Sequence, residues 1–184
     1  MMLPGLAPEL LADGAAGVEW YTPKWLLDWL PPIALDPCWS AASLVRAAAV
    51  IDLRRGEDGL TTPWEPIGAG VVFCNPPFDN TCSWLRRCRQ ESARTGRVVV
   101  ALVPAYPGDG PWHSEVWPHA ALVGWIAGRM QFRDPQGRTE QKGRGHALIL
   151  YGPTGGAVED VAYVIKARSL HHPQAPVWVR RFEP

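Results

Sequence analysis

The sequence has no surplus of charge: 18 Lys and Arg offset 18 Asp and Glu. That balance argues against a chain coated with basic residues for unspecific nucleic-acid binding, while leaving room for a local basic patch. Cysteine is scarce. Cys38, Cys74, Cys82 and Cys88 form no C-x-x-C pair, and no histidine cluster accompanies them. They read as reduced, mostly core thiols of a cytoplasmic protein; neither a disulfide framework nor a metal is expected. No apolar run approaches the roughly 18–20 residues of a membrane-spanning helix, so no membrane partner is expected. The opening residues, MMLPGLAPELLADGAAG, lack the basic start of a secretory signal. There is no internal repeat and no low-complexity tract.

What is present is a globular chain of 184 residues, 47% hydrophobic, long enough for one domain with a real core. Ten tryptophans are many for this length, and most are expected in the core or lining a pocket. Helical and strand patterns alternate. Thr22 can cap a helix whose first turn takes Pro23 and which runs through Trp25, Leu26 and Leu30 to Pro31-Pro32. Strands are expected at 33–36, 49–53, 71–74, 97–103, 121–126 and 146–151. A helix is expected at 40–48, and another, capped by Asp79 or Thr81, with Cys82, Leu85 and Cys88 on one face. This alternation predicts a single-domain, Rossmann-like α/β fold: a doubly wound, mostly parallel sheet with helices on both faces. Such sheets bind ligands at the carboxyl ends of their strands, where Asp36, Asp52 and Asn75 fall. The expected organisation is an N-terminal segment (1–18), a core (19–152) and a C-terminal extension packed on or near it (153–184).

One strand runs into an unusual end: VVFCNPPFDN, residues 71–80. Each proline holds the residue before it extended, so Asn75 and Pro76 are both restricted. Neither prolyl nitrogen can donate. The Pro76 carbonyl can then point outward beside the Asn75 side-chain oxygen. Two adjacent acceptors suit an exocyclic NH2, and Phe78 offers a flat face for the ring that bears it. Such an amine, the N6 of adenine for example, is a poor nucleophile because its lone pair is delocalised. Acceptors on both hydrogens favour a pyramidal nitrogen, so positioning and electrostatics can carry the reaction without a strong base. The matching electrophile is the sulfonium methyl of S-adenosylmethionine.

Charge is concentrated in RMQFRDPQGRTEQKGRGH, residues 129–146, where Arg129, Arg133, Arg138, Lys142 and Arg144 face only Asp134 and Glu140. Without an apolar period this reads as a long loop between two strands. Clustered arginines and glycines there suit a phosphate backbone.

Three further stretches precede Asn75: EWYTPKWLLDWL (19–30), LDP (35–37) and EDGLTTPW (57–64). With NPPF at Asn75, Pro76, Pro77 and Phe78, Trp112-His113, and Gly128-Arg129 followed by Phe132, the ordered set resembles phage- and prophage-type DNA N6-adenine methyltransferases over about residues 19–152. The resemblance implies a class I methyltransferase-type fold, S-adenosylmethionine as cofactor, DNA as partner and extrusion of the target base. It implies that Trp20, Thr22, Pro23, Asp36, Pro37 and Cys38 border the methionine part of the cofactor. Asp52 is then a candidate for the ribose hydroxyls, and Asp58 and Leu60 for the adenine. The resemblance further implies that Asn75, Pro76, Pro77 and Phe78 form the target pocket and that Arg129, Arg133, Arg138, Lys142 and Arg144 meet DNA.

The turn after the first strand, DPCWSAAS, departs from the glycine-rich turn of many methyltransferases: bulky Trp39 lies where the backbone usually approaches the cofactor. His113 reads either as an acceptor for the departing proton or as a structural or DNA-contacting residue. N4-cytosine methylation, methylation of a protein glutamine, and a non-catalytic DNA-binding module remain alternatives. Asn75 in place of a serine favours adenine, and the basic stretch favours DNA.

Overall fold

The structure, a computed structural model, describes residues 21–134, 138–141, 145–153 and 156–180. Residues 1–18, Trp20, Lys142 and Arg144 lie outside the described residues. In chain order the elements are α1 (Lys24–Trp29), β1 (Ile33–Trp39), β2 (Val50–Asp52), β3 (Val71–Cys74), α2 (Thr81–Thr95), β4 (Val99–Pro104), β5 (Leu122–Ile126), β6 (Gln131–Arg133), β7 (Thr139–Gln141), β8 (His146–Tyr151), α3 (Ala157–Ser169) and β9 (Pro176–Arg180). A π-helical turn, Trp112–Val116, stands between β4 and β5.

Seven strands form one sheet in the order β2-β1-β3-β4-β8-β5-β9. Alternate residues of each central strand enter opposite cores, because successive side chains of a strand point to opposite faces. In β4, Val100 and Leu102 join α1 and α3 on one face. Val99, Ala101 and Val103 join α2 and the π-helical turn on the other. Each fully buried Val or Leu of this kind contributes about 1.5–3 kcal/mol. Helices on both faces of an α/β sheet are as the sequence predicts. α3 and β9, both beyond residue 152, complete one face and one edge, and the Arg168 guanidinium donates to the Leu30 carbonyl at the end of α1.

The expectation of a mostly parallel sheet needs correction: the sheet is mixed. β2–β1, β1–β3 and β3–β4 pair in parallel. β4–β8, β8–β5 and β5–β9 pair antiparallel. A parallel neighbour needs a long crossover, usually a helix. The chain between β5 and β8 instead carries the β6–β7 hairpin, so β8 returns antiparallel and slots between β4 and β5. That hairpin also replaces the featureless loop expected at 129–146.

Three local expectations fail. Residues 40–48 are not helical: the Ser43 hydroxyl accepts from Val45 N at 3.1 Å, a local bond that competes with helix formation. Thr22 does not cap α1, whose N-cap is Pro23 with no side-chain bond. Nor does Asp79 or Thr81 cap α2: its N-cap is Asn80, again without a side-chain bond, and the Thr81 hydroxyl donates back to Phe78 O at 2.9 Å.

Candidate active site

Because β1 to β4 are parallel neighbours, their carboxyl ends share one edge of the sheet. A cleft of about 1240 Å³ opens there, and all four strand ends line it. Asp36, Pro37, Cys38 and Trp39 come from β1, Ile51 from β2, and Pro104 from the end of β4. Asn75, Pro76, Pro77 and Phe78 follow β3 directly, and Asp58 and Gly59 enter from the turn after β2. Strand pairing thus gathers motifs that the sequence scatters.

Asn75 is half-buried, and its Nδ2 donates to Thr22 Oγ1 at 3.0 Å. Its Oδ1 is closed off from water and has no hydrogen-bond partner among the described residues. An acceptor left in that state costs about 1–3 kcal/mol. Phe78 begins a 3-10 turn, with Phe132 edge-on at 6.3 Å and the His146 ring at 5.7 Å. Pro77, between them in the chain, is exposed.

Asp36 is 3% exposed, and its Oδ1 accepts from Cys38 N at 2.9 Å. Burial pushes its carboxyl up to about 7, against the pull of that backbone bond. Cys38 and Cys74 are free thiols with sulfurs 3.4 Å apart, and burial pushes the Cys38 thiol up to about 11. Cys74 and Cys88 are raised by burial as well. Cys74 and Cys88 are core thiols, as expected, whereas Cys38 is half-buried and lines the cleft. Among the described residues no cluster of His, Cys, Asp and Glu could hold a metal ion.

The DGL turn is built tightly. Asp58 Oδ1 accepts from Leu60 N at 2.9 Å, and fully buried Trp64 donates from Nε1 to Gly59 O at 2.7 Å. Leu60 packs toward the core instead of lining the cleft. Thr22 lines the cleft, and Pro23, half-buried, does not.

Asp52 is at the end of β2, but its carboxylate is turned to Arg54, which donates from Nη2 at 2.7 Å and from Nε at 3.0 Å. These bonds hold the Asp52 carboxyl below its ordinary range. Glu57 lines the cleft on this side, next to Asp58, and its Oε2 accepts from Asp52 N at 3.0 Å. Sequence reasoning missed Glu57, and also His146, Tyr106 and Pro104. The only sequence signal for Glu57 was its place just before the DGL turn. His113 is exposed and does not line the cleft, whereas its neighbour Trp112 is buried, lines it, and donates from Nε1 to Pro104 O at 3.1 Å.

The basic residues are divided. Arg129 and Arg133 are exposed. Arg138 is ion-paired with the buried carboxylate of Asp134, which also accepts from Arg138 N at 2.8 Å. Tyr21 N donates to Arg133 O at 2.8 Å, so the hairpin is joined to the segment that carries Thr22.

No helix among the described residues is long and apolar enough to cross a membrane. No curated protein matches the chain significantly. A model of the Dam family, DNA N-6-adenine-methyltransferase, matches residues 19–172, a span that holds the whole cleft and the hairpin, and the chain belongs to that family.

Proposed function

We propose that the chain transfers a methyl group from S-adenosylmethionine to the N6 amine of an adenine in DNA, with the target base turned out of the helix into the cleft. The single observation that carries this reading is Asn75 Oδ1, a buried acceptor without a partner beside a cleft open at the strand ends. A buried polar atom kept unsatisfied is the kind of exception that points to a ligand.

The cleft suits the cofactor by its chemistry. Asp36 is a buried carboxylate that would match a cationic group, and Glu57 is an acid able to accept from paired hydroxyls. Cys38 and the Asp58-Gly59 turn border the same space. S-adenosylmethionine, when bound, supplies a methyl group on a positively charged sulfur. The five strands β1 to β5 run in one direction, which supports a class I-type reading of the sheet despite the antiparallel β8 and β9.

Asn75 Oδ1 and the Pro76 carbonyl would accept from the two hydrogens of N6. That draws the nitrogen toward a pyramidal form and turns its lone pair outward. Since Oδ1 is closed off from water, reaching it takes a local rearrangement of the cleft wall. Phe78 would stack on the base. No neighbouring histidine is needed as base, because the excess proton can leave to solvent after transfer. The exposed Arg129 and Arg133 would meet phosphates, with Lys142 and Arg144 as further candidates.

The test is incubation of plasmid DNA with methyl-labelled cofactor, followed by nucleoside analysis. Label in N6-methyldeoxyadenosine is the expected result. Label only in N4-methyldeoxycytidine, or none with the cofactor demonstrably bound, would overturn the reading.

A further inference from the structure

We infer that Gln131 is a specificity-determining residue, which reads an adenine beside the target base through the major groove. The inference rests on the proposed methylation of DNA and deepens it. β5 pairs antiparallel with β8, which is itself antiparallel to β4, so β5 ends on the same edge of the sheet as β4. The β6–β7 hairpin follows β5 and therefore rises from the rim of the cleft. It is braced there at both ends of β6. Tyr21 N donates to Arg133 O at 2.8 Å, and Gln174 Nε2 donates to Arg129 O at 3.0 Å.

The two faces of this segment are unlike. Met130, Phe132 and Asp134 are buried, and Phe132 meets Phe78 of the proposed target pocket edge-on at 6.3 Å. Arg129, Gln131 and Arg133 alternate with them and are exposed. Across the ribbon, Arg133 stands in register with exposed Thr139. The outer face thus carries one neutral carboxamide between two cations. The cations suit phosphates, which fix where a protein sits on the duplex but carry no sequence. A neutral amide adds nothing to that attraction; what it can match is a base edge. A carboxamide donates and accepts side by side, the complement of adenine N7 and N6 in the major groove. Guanine offers two acceptors there and suits arginine instead. The groove, about 12 Å wide, admits a two-stranded ribbon. Because Phe132 touches the pocket on the inner face and Gln131 is its neighbour in the chain, the adenine that is read lies within a few base pairs of the extruded one.

The experiment methylates plasmid DNA with wild type, Gln131→Ala and Gln131→Arg, and maps each methylated adenine with its flanking sequence. Wild type should prefer an A·T pair of one orientation at one fixed position beside the target. Gln131→Ala should lower that preference roughly 5- to 150-fold, the worth of one bidentate base contact. Preferences at other positions and the salt dependence of DNA binding should stay as in wild type. Gln131→Arg should move the preference at the same position from adenine to guanine.

A binding readout uses a duplex with 7-deazaadenine at that position, which lacks the N7 acceptor. It should bind wild type more weakly than the unmodified duplex, and Gln131→Ala should not distinguish the two. An unchanged preference in both variants would overturn the inference alone. So would a wild type that methylates adenine with no flanking preference, or a Gln131→Ala variant equally impaired on every sequence. A wild type that binds duplex DNA and cofactor but methylates no adenine would overturn the functional reading and this role with it.

Discussion

Gly59 and Pro37 approach so closely that a Cβ built on Gly59 would stand 2.2 Å from the Pro37 carbonyl oxygen. The same Cβ would meet the Trp84 ring at 2.7 Å. The first of these neighbours is backbone, which cannot swing aside. The turn after β2 is therefore docked directly onto the outer end of β1, and Trp64 fastens it from beneath through the Gly59 carbonyl. Gly59→Ala should cost about 1–3 kcal/mol, the usual penalty of overpacking. The shift should also displace Asp58 and weaken cofactor binding. Thermal unfolding and calorimetry check both. A variant as stable as wild type would mean that β1 and the turn are not held in register.

Asn75→Ala removes the free acceptor while leaving Asp36, Glu57 and the DGL turn in place. Loss of one preorganised hydrogen-bonding group of this kind costs on the order of 10²–10³ in kcat. The cofactor Kd should move far less. An equal loss of cofactor affinity would make Asn75 a structural residue of the cleft.

Asp36 gives the protein a pH dependence. Its folded pKa of about 7 lies above the ordinary 3.8. Between those values the unfolded chain has lost the proton and the folded one keeps it, so stability from this group is complete below about pH 4 and falls as pH rises toward 7. At about 1.4 kcal/mol per unit, the loss is roughly 4 kcal/mol at most. Asp36→Asn should therefore gain on wild type in chemical unfolding as the pH is raised. A cation bound beside Asp36 favours the carboxylate, so cofactor affinity should rise with pH up to about 7, with proton release on binding below that. Affinity that is flat between about pH 5.5 and 8 would remove Asp36 from the cofactor site.

How much of this was legible in the sequence depended on the range of the interaction. VVFC followed by two prolines announced both the end of a buried strand and a restrained Asn75, because apolar runs and proline act locally. The DGL turn was legible for the same reason. The partner of Asn75 was not, since Thr22 reads as a helix cap until the fold brings the two together. Asp52 obeyed the strand-end rule, yet Arg54, two residues on, takes its carboxylate, and Glu57 lines the cleft instead. The charged run 129–146 hid its hairpin because its buried positions, Met130, Phe132 and Asp134, do alternate with exposed Gln131 and Arg133, but one of the three is a carboxylate, so too few apolar residues mark the strand. The direction of β8 followed from that hairpin.

Phe78 should matter to DNA more than to the cofactor. Stacking a base on an aromatic ring is worth about 1–3 kcal/mol, which offsets part of the cost of turning the base out. Packing against Phe132 and His146 leaves it half-buried, so it already has a place to stand. Phe78→Ala should weaken productive DNA binding and slow turnover, while Phe78→Tyr keeps substantial activity. A 2-aminopurine at the target position should brighten on binding. Unchanged fluorescence in a methylation-competent complex would count against base extrusion.

The hairpin arginines should separate into two kinds. Arg129 and Arg133 are exposed, and replacing both with Ala should flatten the dependence of DNA affinity on salt by about 0.9 for each phosphate no longer neutralised, with cofactor affinity unchanged. Arg138 is different. Its guanidinium is ion-paired with buried Asp134, whose carboxylate also accepts from Arg138 N and whose own N–H donates to Arg138 O at 3.0 Å. Removing that guanidinium takes an ion-pair partner from a buried carboxylate, which is destabilising. Arg138→Ala should therefore loosen the hairpin, seen as faster amide exchange across β6 and β7, and lower DNA affinity through altered shape more than through the missing charge. Its salt slope should stay closer to wild type than that of the Arg129 and Arg133 double variant. If the double variant kept the wild-type slope, the DNA path would lie off the hairpin. The arginines of α2 would be poor substitutes there, because Arg86 and Arg89 are paired with buried Glu115 and Arg87 with buried Glu91.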